Sequence, residues 1–178
     1  IFVLDKDPKL AAHMHCDKHV IKMILETAQI LSTAVRLCYP TGDINKIIKD
    51  QPFLYRATHK NHPCVKWAAS NSKRFNWLKS LGKALLNEYE YRYSKHHKSG
   101  HIIVNTFHPI PLLNQPLEPF ALAMPKEYIE LSDDLDDDPV KSYRNYYRND
   151  KKDILVYTKR KPPEWLSDLA TYKSQKGA

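Results

Sequence analysis

The 178-residue sequence has few cysteines and lacks any long apolar run. Its three cysteines, Cys16, Cys38 and Cys64, are odd in number and widely spaced, which argues against a disulfide framework and favours a reducing compartment. No stretch approaches the run of about 18 apolar residues that a membrane-spanning helix requires, and the first residues lack the apolar core of a signal peptide. We therefore expect a soluble, cytoplasmic, single-domain protein with no membrane partner.

Charge is unevenly distributed along the chain. The net charge is +8, yet residues 127–138 hold 7 of the 20 acidic residues and no Lys or Arg, so the remainder carries +15. A domain this basic is expected to meet a polyanion, and nucleic acid is the commonest choice because Lys and Arg neutralise its phosphates. The composition thus predicts a nucleic-acid partner.

Helical signals dominate the first half of the chain. Hydrophobic periodicity predicts two long helices, at 17–37 and 63–95, within a helical core that spans residues 1–97, and a break is expected in the second near Asn71 and Ser72. Asp17 is the expected N-cap of the first helix, and Pro63 is the expected first residue of the second. Since strand patterns are almost absent, the sequence predicts a mainly α fold, a compact single-domain helical bundle.

The second half differs in character. Residues 99–138 are Pro-rich and then acidic, and the five prolines between positions 99 and 125 predict an extended segment that wraps the bundle. Asp138 and Pro139 are expected to start a last helix, so that residues 139–178 form a basic, aromatic helix and tail.

Polar side chains recur along the first long helix at alternating intervals of four and three residues. They are His15, His19, Lys22, Glu26, Gln29, Thr33 and Arg36. This spacing keeps side chains on one face of a helix that is otherwise largely apolar. Because imidazole, amine, carboxylate and amide groups transfer protons and form hydrogen bonds, we interpret this polar stripe as the wall of a pocket. The alternative is a solvent-exposed helix edge that carries a Lys22–Glu26 pair.

The block HMHCDKH at residues 13–19 suggests two further chemistries. His13, His15, Cys16 and His19 can all bind metals, but no second cluster with zinc-ligand spacing follows, so we expect neither a metal nor a cofactor. Cys16 and His19 are also an alternative nucleophile and base pair.

Aromatic and basic residues interleave in two segments, 88–98 and 142–152. Arg and Lys contact phosphates, while Tyr rings stack on bases, so we expect one of these segments to touch nucleic acid. The candidate nucleic-acid contacts of the whole chain are Lys18, Arg36, His62, Arg74, Arg92, Tyr143, Arg144, Tyr147 and Arg148.

Two sequence blocks carry a family resemblance. They are IFVLDKDPKLAAHMHCDKHVIKMILETAQIL, and ATHKNHPCVKW followed by a long helix that ends in EYEYRY. They resemble the pyrimidine-dimer DNA glycosylases, the phage endonuclease V-like family, over about the first half of the chain. The blocks HCDKH and NHPC are shared with viral and phage relatives. The resemblance implies a compact helical enzyme that acts on double-stranded DNA without a cofactor, in the cytoplasm of a virus-infected host cell.

The resemblance also implies a mechanism. Enzymes of this family flip a nucleotide out of the duplex, attack the sugar C1′ with the N-terminal α-amine and use a nearby Glu, giving glycosylase and AP-lyase chemistry through a Schiff base. An α-amine has a pKa of about 7.7 to 8.0, against about 10.4 for Lys, so it is substantially neutral near pH 7. The candidate catalytic residues are Glu26, Lys22, His19, His15 and the α-amine of Ile1, the last only if Ile1 is the true N-terminus. Lys22 is the alternative amine nucleophile if burial favours its neutral form.

Two other functions are compatible with the same residues. The pocket could belong to a transferase that modifies viral DNA bases or nucleotides, with histidine bases and no Schiff base. The chain could also be a non-catalytic nucleic-acid-binding protein, in which case Glu26→Gln would leave its activity intact.

Overall fold

The predicted mainly α fold is confirmed. The computed structural model describes residues 1–39, 44–109, 116–134 and 136–174, without the side chains of residues 44 and 48. The α-helices of this part of the chain are α1 (Pro8–Met14), α2 (Asp17–Cys38), α3 (Ile44–Asp50), α4 (Pro63–Ser70), α5 (Ser72–Tyr93), α6 (Gly100–Asn105) and α7 (Pro139–Asp150). Two short strands, β1 (Val156–Thr158) and β2 (Thr171–Lys173), pair in parallel near the end of the described chain. No helix among the described residues is long and apolar enough to cross a membrane.

Local caps explain where several helices begin. The Asp7 carboxylate accepts hydrogen bonds from the first-turn amides of α1, and Asp138 does the same for α7, each directly before a proline. Asn71 caps α5 in the same way and divides the predicted helix 63–95 into α4 and α5. Side-chain caps of this kind satisfy backbone amides that have no partner inside the helix.

The start of α2 differs from the prediction. Its N-cap is Cys16, which makes no side-chain capping bond, and Asp17 is the first helical residue. The Asp17 carboxylate instead accepts bonds from the amide and hydroxyl of Thr158, at 3.0 and 2.7 Å, and from Arg92 at 3.0 Å. Partners far away in the sequence therefore replace the expected local cap.

The core lies between α2 and α5, with α6 packed across them. Gly82 permits this close approach, because a Cβ atom there would lie 2.8 Å from the Thr27 methyl group and 2.9 Å from Ile103 Cγ2. The first four residues, 1–4, are also buried in the core. The beginning of the chain is thus fixed by hydrophobic burial.

The Pro-rich segment packs along α4 and α5. Trp67 donates its indole hydrogen to the Pro119 carbonyl at 2.8 Å, and Phe120 is buried against the rings of Trp67 and Trp77. The short helix α6 precedes the first proline of this segment. Parts of the predicted irregular region, residues 110–115 and residue 135, lie outside the described residues.

A buried ionic cluster joins α2 and α5 to the C-terminal region. Glu88, 2% exposed, accepts hydrogen bonds from Arg92 and Arg160 at 2.9 Å, and Arg92 also pairs with Asp17. We call these four residues the Glu88 network. Because Asp17, Glu88 and Arg92 belong to the helical core and Arg160 belongs to the C-terminal region, the network ties these two parts of the chain together.

Candidate active site

A cavity of about 250 Å³ opens between α2 and the start of α4. Its lining combines polar and apolar side chains, those of Glu26, Gln29, Ile30, Thr58, His59, His62 and Val65. Pockets with a few convergent polar groups in an apolar surround are typical ligand sites. Two members of the polar stripe, Glu26 and Gln29, therefore line a pocket, as the stripe predicted.

The beginning of the chain lies beside Glu26. The Ile1 nitrogen is 3.9 Å from Glu26 Oε2, the Ile1 side chain is 2% exposed and the Glu26 side chain is 33% exposed. Burial of the Ile1 side chain fixes its nitrogen, while the carboxylate stays open to the cavity. The Ile1 nitrogen thus lies beside a carboxylate that lines the cavity.

His62 adds an imidazole to this arrangement. Its Nδ1 accepts a hydrogen bond from the Cys64 amide at 3.1 Å as the N-cap of α4, so the neutral ring carries its proton on Nε2. Burial, and then the positive charge that the Ile1 nitrogen carries when it is a free amine, lower the pKa of His62, although the Glu26 charge opposes them. A neutral imidazole is therefore the favoured form of His62 at the cavity.

The C-terminal members of the polar stripe, Thr33 and Arg36, bind the segment that forms the opposite rim of the cavity. The Thr33 hydroxyl accepts a hydrogen bond from the Thr58 amide at 3.1 Å, and Arg36 donates to the carbonyls of Leu54 and Tyr55. These bonds fix the segment that leads to His59, whose φ of 48° lies in the left-handed region. Thr33 and Arg36 thus position the rim and do not line the cavity.

His15 and His19 occupy a different place from Glu26. His15 follows α1 as its C-cap and lies outside α2, and both rings are buried against Phe2, with the His19 ring stacked on it at 4.5 Å. The Tyr147 hydroxyl is 2.7 Å from His19 Nδ1. Burial lowers the pKa of each histidine to about 3, so both are neutral. Their contacts stabilise the buried start of the chain.

Lys22 is exposed to solvent. Its ammonium lies 3.3 Å from Glu26 Oε1, but 66% of its side chain is accessible. Lys22 therefore lacks the burial that its role as the alternative nucleophile would require. The geometry supports Lys22 as an ionic partner of Glu26.

Three of the candidate nucleic-acid contacts are buried. The Arg92 side chain is 0% exposed within the Glu88 network, the Tyr143 hydroxyl donates to the Ala121 carbonyl, and Tyr147 contacts His19. Since none of these side chains reaches the surface, their placement does not support contact with DNA.

Four arginines in the candidate set bind backbone carbonyls of the protein itself. Arg36 donates to Leu54 and Tyr55, Arg74 to Leu117 and Glu118, Arg144 to Leu4, and Arg148 to Trp165. Lys18 is exposed on α2, and His62 lines the cavity. His62 is thus the candidate that lies at the cavity together with Glu26.

Sequence reasoning missed part of the lining. Ile30, Thr58, His59 and Val65 were not among the candidates, although Ile30 lies one turn after Glu26 and Val65 one turn after His62. The helical spacing of these two could have indicated them. Nothing local marks Thr58 or His59. Among the described residues, no three His, Cys, Asp or Glu side chains are grouped so that they could hold a metal ion.

The first part of the chain matches a known family. The family model described as pyrimidine dimer DNA glycosylase matches residues 1–100. No curated protein and no solved structure matches the chain significantly. The matched range contains Ile1, Glu26 and the whole cavity lining described above.

Proposed function

Because this match covers more than half of its length, the chain belongs to the pyrimidine dimer DNA glycosylase family, and we propose that it cleaves the N-glycosidic bond of a damaged nucleotide in double-stranded DNA with an amine nucleophile. The family supports a glycosylase-like enzyme with a DNA substrate. The observation that carries the finer mechanism is the 3.9 Å separation between the Ile1 nitrogen and Glu26 Oε2, at a cavity.

In a chain that begins at Ile1, this nitrogen is the nucleophile. Its lone pair adds to the sugar C1′, the C1′–N bond breaks, and the base leaves with the bonding electrons. The Glu26 carboxylate stabilises the positive charge that develops on the sugar, and it then accepts the proton that the amine loses once the new bond has formed. The sugar ring then opens: the C1′–O4′ bond breaks, O4′ takes up a proton, and the amine nitrogen and C1′ form a Schiff base. Loss of a C2′ proton from this intermediate lets the 3′ phosphate depart, which nicks the strand.

The cavity has a role in the same mechanism. An enzyme that reacts at C1′ must take the nucleotide out of the base stack, and the cavity beside Glu26 offers a place for part of the extruded nucleotide. Gln29 and His62 supply hydrogen-bonding groups there, while Ile30 and Val65 supply apolar contact. Neutral His62 can donate a hydrogen bond to the departing base through Nε2 and so stabilise the charge that develops on it.

Borohydride trapping tests the proposal. Duplex DNA that is undamaged, UV-irradiated or abasic is incubated with the protein and borohydride, which reduces a Schiff base to a stable adduct. We expect adducts and strand nicks with the two damaged duplexes and none with undamaged DNA. Glu26→Gln should reduce the trapping rate by about 100-fold or more, since it removes the proton acceptor.

Two controls assign the nucleophile. A protein released from a cleavable fusion so that it begins at Ile1 is compared with the uncleaved fusion, in which the same nitrogen is an amide. We expect trapping at Ile1 only in the released protein, and Lys22→Ala should retain it. An adduct mapped to Lys22 would reassign the nucleophile, and DNA binding with neither adduct nor nick would exclude the lyase mechanism in favour of the transferase or the binding protein.

A further inference from the structure

Two aliphatic side chains are exposed on the outer face of α2, next to the proposed catalytic pair. Ile21 is 43% exposed and Leu25 is 40% exposed. They lie one turn apart and directly precede Lys22 and Glu26 in the chain. Aliphatic side chains that stay exposed to water gain no free energy from burial, so such a pair is typical of a surface that a partner covers.

Positive charge surrounds this aliphatic pair. Lys18 and Lys22 are exposed on the same face, at the helical spacings that place them beside Ile21 and Leu25. Apolar tips flanked by ammonium groups fit DNA, because the lysines can meet phosphates while the aliphatic groups meet base surfaces. The charge complementarity therefore selects duplex DNA as the occupant of this face.

The proposed reaction requires DNA at this location. For C1′ to reach the Ile1 nitrogen, the duplex must lie against the helix that carries Glu26, with the extruded nucleotide towards the cavity. That movement leaves a gap in the base stack. Ile21 and Leu25 are about 6 Å apart along the helix axis, a length comparable with one to two base-pair steps.

We propose that Leu25, assisted by Ile21, inserts into the duplex and fills the space that the extruded nucleotide leaves. This inference rests on the proposed function and adds a positioning role for residues that take no part in the chemistry. The aliphatic groups replace lost stacking contacts and thereby favour the extruded state of the nucleotide.

The test compares duplex and single-stranded substrates. Leu25→Ala and the double variant Ile21→Ala/Leu25→Ala are assayed by borohydride trapping on an abasic site in duplex DNA and in the same strand alone. We expect about tenfold slower trapping on the duplex and a change below about twofold on the single strand, which has no partner strand to unpair. Leu25→Met, which keeps an aliphatic side chain, should restore most of the duplex rate.

Leu37→Ala is the matched control, because Leu37 is 41% exposed on the same helix but lies three turns beyond Glu26. An equal loss on both substrates, or a similar loss in Leu37→Ala, would overturn the insertion. So would a Leu25→Ala protein that changes from dimer to monomer in sedimentation while its duplex rate is unchanged, since that face would then bind a second copy.

Fluorescence separates this inference from the proposed function. With 2-aminopurine next to the abasic site, insertion should raise the emission of the probe, and Leu25→Ala should abolish most of that increase without any chemistry. If the parent protein traps neither substrate but still raises the emission, the proposed function fails and the insertion stands. Trapping on both substrates without an emission change would overturn the insertion alone.

Discussion

Glu26 and Glu88 are both carboxylates on long helices with cationic neighbours, but their surroundings differ. Glu88 is 2% exposed and accepts three hydrogen bonds of 2.9 Å from Arg92 and Arg160. Burial would raise the pKa of Glu88, but the Arg160 hydrogen bonds and the Arg92 charge outweigh it and lower the pKa. Glu26 is one-third exposed, and its ionic contacts, at 3.3 and 3.9 Å, are longer.

Glu88 is thus a structural carboxylate, whereas the carboxylate of Glu26 remains accessible to a ligand. The oxygens of Glu88 are occupied by fixed donors, so a substrate could reach them only if the Glu88 network broke. Those of Glu26 lie at a cavity, beside the Ile1 nitrogen, so a ligand can reach them. Incomplete pairing of a carboxylate beside a cavity is therefore more informative about chemistry than charge or burial alone.

The largest effect is expected when the Glu88 network loses its central cation. Arg92→Met leaves Glu88 buried with fewer donors, and breaking a buried pair in this way costs about 3 to 5 kcal/mol of the free energy of unfolding. Urea unfolding measures the loss. Arg148→Met is the control, because Arg148 pairs with Asp168 at the surface and its loss should be much smaller. Equal losses in both variants would contradict the structural role of the network.

As the pH falls, the buried histidines should reduce the stability of the protein at higher pH than Glu88 does. The pKa values of His15 and His19 are lowered to about 3, so below pH 6.5 the unfolded chain binds more protons than the folded one and stability falls with pH. Each histidine contributes about 1.4 kcal/mol per pH unit well below 6.5. The lowered pKa of Glu88 makes its contribution complete above 4.5, so it is lost only at lower pH.

Urea unfolding between pH 7 and pH 4.5 measures this dependence. His19→Phe, which keeps a ring against Phe2, should make the slope clearly shallower. His101→Asn should leave it unchanged, because His101 is exposed. A slope that starts only below pH 4.5 would assign the acid sensitivity to carboxylates instead.

Features set by neighbours in sequence were predictable. Asp7, Asn71 and Asp138 mark helix starts because capping needs only a side chain and amides two or three residues away. Asp17 carries the same signal but binds Thr158, which is distant in the chain. No local pattern distinguishes these two outcomes.

The candidate site could likewise be predicted only where the signal is local in the sequence. Glu26 and Gln29 stood out because a narrow polar line on an apolar helix is visible in the sequence. The roles of Arg92 and Tyr147 were not, because aromatic and basic interleaving looks the same whether side chains face solvent or pair inside the core. Composition gives the number of cationic side chains, but it does not show how many of them form contacts inside the folded protein.

The smallest effect on stability is expected at Glu26, the residue with the largest proposed effect on activity. Glu26→Gln keeps the shape of the side chain and removes only the long contacts to Lys22 and the Ile1 nitrogen. Because the group is partly exposed and solvent screens these charges, the free energy of unfolding should change by less than about 1 kcal/mol. Thermal melting beside Arg92→Met measures both members of the comparison under one condition. If Glu26→Gln lowers stability as much as Arg92→Met does, then Glu26 is a second structural carboxylate, and any loss of trapping in that variant reflects unfolding instead of chemistry.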